Sequence, residues 1–203
     1  NNCYTNYMAQ FNLRLALEVR DILAREYPER YDQLVIQLNL SDEEFALWKK
    51  CADLMYLPFH EELGIHPQDD SFLDKDPIDI DSIPEDEIPL VGNWHPLRIW
   101  RYQLIKQADV ILLMFLLGDQ FSLEEKRANF DYYEPKTTHD SSLSPAIYSI
   151  IAAELGYSDF AYNYFLQTVR LDLDDYNRNA WQGLHTACMA SSWMGVVNGF
   201  AGM

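Results

Sequence analysis

The sequence predicts an all-α protein, either a helical bundle or part of a helical barrel. Apolar residues recur at helical spacing over most of the 203 residues. Ser41 and Ser122 each precede a glutamate three positions later, which is the pattern of a capping box. No Asn-Gly or Asp-Gly pair joins two alternating runs, the usual signal of a β-hairpin.

The first helix is expected over residues 3–26. It should end at Tyr27, because the residue before Pro28 avoids helical backbone angles. A turn and a short helix are expected over 29–40. The Ser41 capping box then opens a third helix, which should run to about residue 57.

Residues 58–100 differ in composition from the rest of the chain. They hold six of the nine prolines, and the stretch 69–87 holds nine acidic residues and one base. The expected structure is a long, solvated acidic loop. A calcium site at Asp79 and Asp81 is a weaker interpretation, because the glycine and terminal glutamate of an EF-hand are missing.

Six or seven helices are expected in the whole chain. A strongly apolar one should cover 97–117 and be capped by Gly118, and Ser122 should open a short one to about residue 129. Helices over 144–155, stopped by Gly156, and over about 158–170 follow, and the last should cover 183–197. These helices should form antiparallel pairs.

Composition narrows the classes of function. The net charge of −17 and the isoelectric point near 4.4 argue against binding nucleic acid or an anionic membrane. No apolar run approaches the roughly 18 residues of a membrane span. An odd count of three cysteines without a CxxC pair predicts no metal site and a reducing, cytoplasmic location.

A polar cluster at 130–145 lies between two apolar helical runs. It contains Glu134 and Asp140, which invite assignment as an acid/base pair. The two residues are six positions apart in a loop, which fixes no distance between their carboxylates, so the pair is weak evidence for an acid/base role. Structural or sugar-binding roles are expected instead. The alternative is that this cluster only connects two helices and that its serines and threonines cap the second one. A second acidic group, at 172, 174 and 175, is expected to pair with Arg170 or Arg178.

Three stretches resemble the inverting disaccharide phosphorylases of glycoside hydrolase family 65, which act on maltose, kojibiose or trehalose. They are RYQLIKQADV at 101–110, NFDYYEPKTTHDSSLSP at 129–145, and RLDLDDYN at 170–177 with GLHT at 183–186 and ASSWM at 190–194. The resemblance implies that 1–203 is a single piece of an (α/α)6 barrel. It also implies cleavage of an α-glucosidic disaccharide by inorganic phosphate with inversion, which yields β-glucose 1-phosphate without a metal or organic cofactor.

The resemblance also assigns site residues. Lys106 and Gln107 match the residues that hold the glucosyl unit, and Thr138 and His139 are expected to line the same pocket. Lysine donates and glutamine both donates and accepts, as sugar hydroxyls require. The alternative is that Lys106 and Gln107 are simply polar residues on the outer side of a helix.

Phosphate is assigned to His185, Ser191 and Ser192, aided by the N-terminus of the last helix. The alternative is a buried His185 bonded to a neighbouring helix. Trp94 and His95 are weaker candidates for contact with the acceptor sugar.

The general-acid glutamate of the family precedes a stretch that YTNYMA at 4–9 matches, so it is expected upstream of Asn1. No catalytic residue is therefore assigned, and the chain alone is expected to be an inactive fragment. Uncovered helix faces predict a homo-oligomer. Two alternatives remain: a hydrolase of the same barrel, such as a trehalase or glucosidase, and a non-catalytic helical carbohydrate-binding module.

Overall fold

The computed structural model describes all 203 residues and contains ten α-helices and no strand. Isolated bridges join His60 to Ile65, Asp76 to Tyr102 and Ile105 to Thr137. The chain divides into two compact units, Asn1–Pro58 and Phe59–Met203. The helices are α1 Cys3–Glu26, α2 Pro28–Leu38, α3 Asp42–Asp53, α4 Leu90–Asn93, α5 Pro96–Ile99, α6 Val110–Leu116, α7 Leu123–Tyr133, α8 Ser144–Glu154, α9 Ser158–Asp174 and α10 Thr186–Met194.

The first unit consists of α1, α2 and α3, and α1 packs against both of the others. α1 has the predicted bounds, and the side chain of Asn2 caps its N-terminus. The Ser41 hydroxyl accepts a hydrogen bond from the backbone N–H of Glu44, so it caps α3 as predicted. α3 ends at Asp53, four residues earlier than the predicted end near residue 57.

The second unit is built around α8, whose residues 144–152 are all buried. A helix that is apolar on every side belongs in the interior of its unit. α6, α9, α10 and a π-helical turn at Gly195–Phe200 pack against α8. Gly156, in the left-handed region at φ +77°, follows the helix as predicted and leads into α9.

α9 presents an apolar stripe at helical spacing toward the interior. Its buried residues are Ala161, Tyr164, Thr168 and Leu171. This spacing of three and four positions places them on one face of the helix. α9 extends four residues beyond the predicted end at 170, and α7 likewise runs to Tyr133 instead of 129.

The acidic segment, residues 58–100, is not one continuous solvated loop as expected. It forms short helical turns around a small core of its own, made of Ile83, Leu90, Trp94 and Leu104. The acidic side chains lie mainly outside this core, whereas the apolar residues between them fill it. The acidic side chains are solvated, as the composition indicated. The composition gave no sign that the apolar residues between them form a core.

The predicted helix over 97–117 is wrong for most of its length. Only α5 and α6 are helical, and the residues between them form bridges to distant segments. Gln103 N–H donates to Asp76 O at 2.8 Å, and Ile105 N–H donates to Lys136 O at 2.9 Å. These backbone donors are therefore used between segments and are not available for a helix.

Candidate functional site

Two of the predicted site segments lie side by side. The bridge between Ile105 and Thr137 is closed by Ile105 N–H to Lys136 O and by Thr138 N–H to Ile105 O, both at 2.9 Å. Lys106 and Gln107 directly follow one member of this bridge, and Thr138 and His139 directly follow the other. The structure thus brings together all four residues predicted to bind sugar.

Lys106 and Gln107 are both exposed, so their polar groups are accessible to a ligand. They precede α6 in irregular backbone, which removes the alternative that they lie on the outer side of a helix. The positive charge of Lys106 favours the ionised form of the Asp140 carboxylate and so acts to lower its pKa. A cation and a mixed donor–acceptor amide next to each other suit the hydroxyls of a sugar.

Asp140 links this site to the acidic segment. Its carboxylate accepts the backbone N–H of Val91 at 3.1 Å and is also hydrogen-bonded by Leu90 N–H and the Thr138 side chain. Burial raises the pKa of Asp140, whereas these hydrogen bonds and the charge of Lys106 act in the opposite direction. These contacts are compatible with the structural role that was one of the two expected for Asp140, and its role in sugar binding stays a prediction.

His139 uses both ring nitrogens within the protein. Nδ1 is 2.9 Å from the hydroxyl of Ser144, and Nε2 is 3.0 Å from the hydroxyl of Tyr164. Burial lowers the pKa of His139 to about 4, so the imidazole is neutral at pH 7. Its backbone is left-handed, with φ +53°, which is uncommon for a residue other than glycine. His139 lies beside the predicted sugar site, but its ring nitrogens are already occupied.

Glu134 joins the same set of contacts. Tyr164 donates its hydroxyl hydrogen to Glu134 Oε1 at 2.8 Å. Glu134 is thus part of a hydrogen-bond network with His139 and Ser144. Asp140 makes other contacts, which connect it to the acidic segment. Glu134 and Asp140 have different hydrogen-bond partners, and none of their contacts indicates an acid/base pair.

A cleft of about 160 Å³ connects this region to α10. Gln107, Ser141, Ser144 and Ser191 supply its polar groups. The apolar part of its wall consists of Ala108, Leu112, Leu143 and Ile147. A residue predicted to bind sugar and one predicted to bind phosphate therefore line one cavity.

The other phosphate candidates are placed differently. His185 is the N-cap residue of α10, six positions before Ser191, or about 9 Å along a helix axis. Ser191 and Ser192 donate their hydroxyls to Ala187 O and Cys188 O, at 2.9 and 3.1 Å. Of the three candidates, Ser191 is the one that lines the cleft.

A carboxylate already occupies the N-terminus of α10. Asp172 accepts the backbone N–H of His185 at 2.9 Å and bonds to its Nδ1 at 2.5 Å. These two hydrogen bonds lower the pKa of Asp172. The expected pairing of the acidic group is confirmed only for Asp174, which binds Arg170 at 2.7 Å, whereas Asp175 accepts N–H groups of the following turn.

Trp94 is not available to stack on a sugar. It is 6% exposed in the core of the acidic segment, and the Arg98 guanidinium lies 3.6 Å from its ring centre. Its indole N–H donates to Glu87. His95 is exposed and accepts the backbone N–H of Leu97 at the start of α5.

Sequence reasoning missed Ser144 and Tyr164. Tyr164 was expected inside α9, and a buried tyrosine usually finds a partner for its hydroxyl. That rule predicts a hydrogen-bond partner for the Tyr164 hydroxyl but does not identify the partner. No helix of the chain combines the length and apolar composition needed to cross a membrane.

The fold is all-α, and its cleft combines a mainly apolar wall with hydroxyl groups and one amide, a lining typical of sites for small molecules. Residues 1–194 match the glycosyl hydrolase family 65 central catalytic domain. The whole chain is 57% identical to an alpha,alpha-trehalose phosphorylase of Thermoanaerobacter brockii and 42% identical to a maltose phosphorylase of Bacillus subtilis. It covers 26% of each of these relatives, about a quarter of their length. The chain belongs to glycoside hydrolase family 65.

A solved structure supports the same assignment. It is a human-microbiome protein provisionally named a kojibiose phosphorylase, and it matches the whole chain with a TM-score of 0.89 and 37% identity. This chain covers 29% of that structure. Together with the ten helices and the absence of strands, the match confirms the predicted fold class, part of an (α/α)6 barrel.

Proposed function

We propose that the full-length protein containing this chain cleaves an α-glucosidic disaccharide with inorganic phosphate and inverts the anomeric carbon. The products are β-glucose 1-phosphate and a free sugar. Membership of a family whose relatives are named phosphorylases supports the proposal. The observation that carries it is the cleft lined by Gln107 and Ser191, which puts a residue expected to bind sugar and one expected to bind phosphate on the same cavity.

The chemistry requires little from the protein besides positioning and one proton. A phosphate oxygen bonds to the anomeric carbon from the face opposite the glycosidic oxygen, the old bond breaks, and the leaving oxygen takes a proton from a carboxylic acid. An inverting hydrolase needs a second carboxylate to activate water. Phosphate is already anionic and needs no such base, and no metal or organic cofactor is proposed.

Within this chain, Lys106 and Gln107 hold the glucosyl unit, and Thr138 and His139 shape the wall beside it. Ser191 is the first choice for phosphate contact, ahead of Ser192 and His185, because it lines the cleft. To donate to phosphate, the Ser191 hydroxyl turns away from Ala187 O, its present acceptor. A hydroxyl can make this exchange by one rotation about its C–O bond.

Trehalose is the first substrate to test. Relatives named alpha,alpha-trehalose phosphorylase share 57% and 47% of residues with this chain, whereas those named maltose and kojibiose phosphorylase share 42% and 41% or less. Recognition of the glucosyl unit is common to all three disaccharides, so the choice among them depends on the acceptor sugar.

The direct test incubates the full-length protein with trehalose, maltose or kojibiose, with and without phosphate. NMR identifies the product and its anomer, and β-glucose 1-phosphate formed only with phosphate is the expected result. Free glucose formed without phosphate would identify a hydrolase. Binding of the sugars without any turnover would identify a carbohydrate-binding module.

A variant tests the assignment of Gln107. Gln107→Ala removes hydrogen bonds to the sugar and should raise KM for the disaccharide about threefold to tenfold. Gln120→Ala, at an exposed glutamine outside the cleft, is the matched control and should leave KM unchanged. Equal values of KM for the two variants would show that Gln107 does not bind the sugar.

A further inference from the structure

One carboxylate joins two parts of the second unit that are far apart in the sequence. Asp140 lies two positions after Thr138, and its Oδ2 accepts the backbone N–H of Val91, 49 positions away, at 3.1 Å. The backbone N–H of Leu90 and the side chain of Thr138 also donate to this carboxylate. We call the contact between Asp140 and residues 90–91 the Asp140 clamp.

The part of the chain that the clamp holds has an interior of its own. Leu90 and Trp94 belong to the small core of the acidic segment and are 1% and 6% exposed. α4, which begins at Leu90, packs mainly against the turn Glu85–Glu87 of the same segment. The position of α4 relative to the predicted sugar site is therefore set from outside this core, and the Asp140 clamp supplies two hydrogen bonds to it.

The base of this part of the chain is attached separately, to α7. The Phe72 ring packs against Tyr132 and Tyr133, with centroid distances of 6.5 and 5.6 Å, and Gln103 accepts the Tyr132 hydroxyl at 2.9 Å. These contacts lie at the two ends of the stretch 72–103, whereas the clamped residues lie near its middle. Loss of the clamp should therefore loosen the middle and leave the base attached.

The number of donors around Asp140 requires a carboxylate. Three groups donate to it, the N–H groups of Leu90 and Val91 and the hydroxyl of Thr138. The two oxygens of an ionised carboxylate can accept all three, whereas the single oxygen of an amide accepts at most two and its NH₂ group then faces the third donor. The positive charge of Lys106 also favours the ionised form.

We propose that Asp140 is a positioning residue that holds residues 90–91 beside the predicted sugar site, so that affinity for the disaccharide depends on the Asp140 clamp. This inference rests on the proposed function, because it takes Lys106 and Thr138 as parts of the sugar site. Ser191, the first choice for phosphate, bonds within α10 instead. Affinity for phosphate should therefore not depend on the clamp.

The first measurement is hydrogen exchange on the full-length protein, which needs no turnover. Asp140→Asn should make a peptide that covers residues 88–94 exchange about tenfold faster, because hydrogen bonds to a charged group are lost. Peptides of α8 should keep their protection. Asp79→Asn is the matched control, because Asp79 also accepts a backbone N–H at 3.1 Å in the same segment, but from Asp81 two positions away. It should leave exchange at 88–94 unchanged.

The second measurement connects the clamp to the sugar. If the clamped state binds the disaccharide better by some factor, saturating disaccharide must slow exchange at 88–94 by the same factor. We expect exchange about threefold to tenfold slower with disaccharide in the absence of phosphate, and little change with phosphate alone. Asp140→Asn should raise KM for the disaccharide by a similar factor, whereas KM for phosphate should stay within about twofold.

Several results would overturn the inference while leaving the proposed function intact. They are unchanged exchange at 88–94 in Asp140→Asn, an unchanged KM for the disaccharide, and an equal rise in KM for both substrates. Loss of protection in α8 as well would show that Asp140 serves the whole unit and would also overturn it. If the unmodified protein forms no glucose 1-phosphate, the proposed function fails, and exchange at 88–94 with and without disaccharide still tests the clamp, because it measures binding.

Discussion

His139 makes the stability of the second unit dependent on pH. Burial lowers its pKa to about 4 in the fold, whereas histidine in an unfolded chain titrates near 6.5. Above pH 6.5 neither state binds the proton, and His139 contributes no pH dependence. As pH falls from 6.5 toward 4, the unfolded chain binds a proton that the folded state does not, so stability declines by up to about 3 kcal/mol.

His139→Asn removes this titration. Asparagine tolerates the left-handed backbone at φ +53°, so the comparison is not dominated by strain. We expect the free energy of unfolding of the unmodified protein to fall more steeply between pH 6.5 and pH 4.5 than that of the variant. The difference in slope should approach about 1.4 kcal/mol per pH unit, the value for one proton.

The assay is urea unfolding of the full-length protein, read by hydrogen exchange of peptides that cover residues 137–155. This readout isolates the region around His139 from unfolding elsewhere in a large protein. His95→Asn, which changes an exposed histidine, controls for the loss of one imidazole. Parallel pH profiles for the unmodified protein and His139→Asn would refute the claim that His139 is held neutral by burial.

Two further predictions concern stability. Lys126→Met breaks the 2.6 Å ion pair with Glu154. We expect it to lower the free energy of unfolding in urea by about 1 to 2 kcal/mol, because Glu154 is 38% exposed and remains hydrated. Lys49→Met breaks a surface ion pair of the same length and should cost less than about 1 kcal/mol. Ser122→Ala removes the cap of α7 and its reciprocal bond with Glu125, which should cost about 1 kcal/mol, whereas Ser122→Asp should retain most of the stability. Equal losses in the two lysine variants, or no loss in Ser122→Ala, would contradict these assignments.

Local signals were sufficient for most helices of the chain. Ser122 and Glu125 form both bonds of the predicted capping box, and Gly156 follows α8 in the left-handed conformation. Such features depend on residues within one turn of each other, so the sequence carries all the information needed. The burial of α8 was also readable, since its apolar residues occupy every side of the helix.

The prediction of a helix over 97–117 was wrong because the backbone there forms hydrogen bonds with distant segments. The residues around Ile105 have an apolar pattern that suits a helix, but their backbone groups bond to Asp76 and Lys136, about 30 positions away in either direction. No local propensity reports such partners, and tertiary context overrides a weak helical preference. The error mattered for the site, because this pairing is what puts Lys106 beside Thr138.

The lining of the cleft is compatible with the proposed binding of an anion by a chain of charge −17. None of the residues that line it is acidic or basic, and its polar groups are hydroxyls and one amide. The carboxylates of the polar cluster are already satisfied, Glu134 by Tyr164 and Asp140 by backbone N–H groups. Because these carboxylates accept hydrogen bonds and do not line the cleft, the negative field inside it is weaker than the net charge suggests.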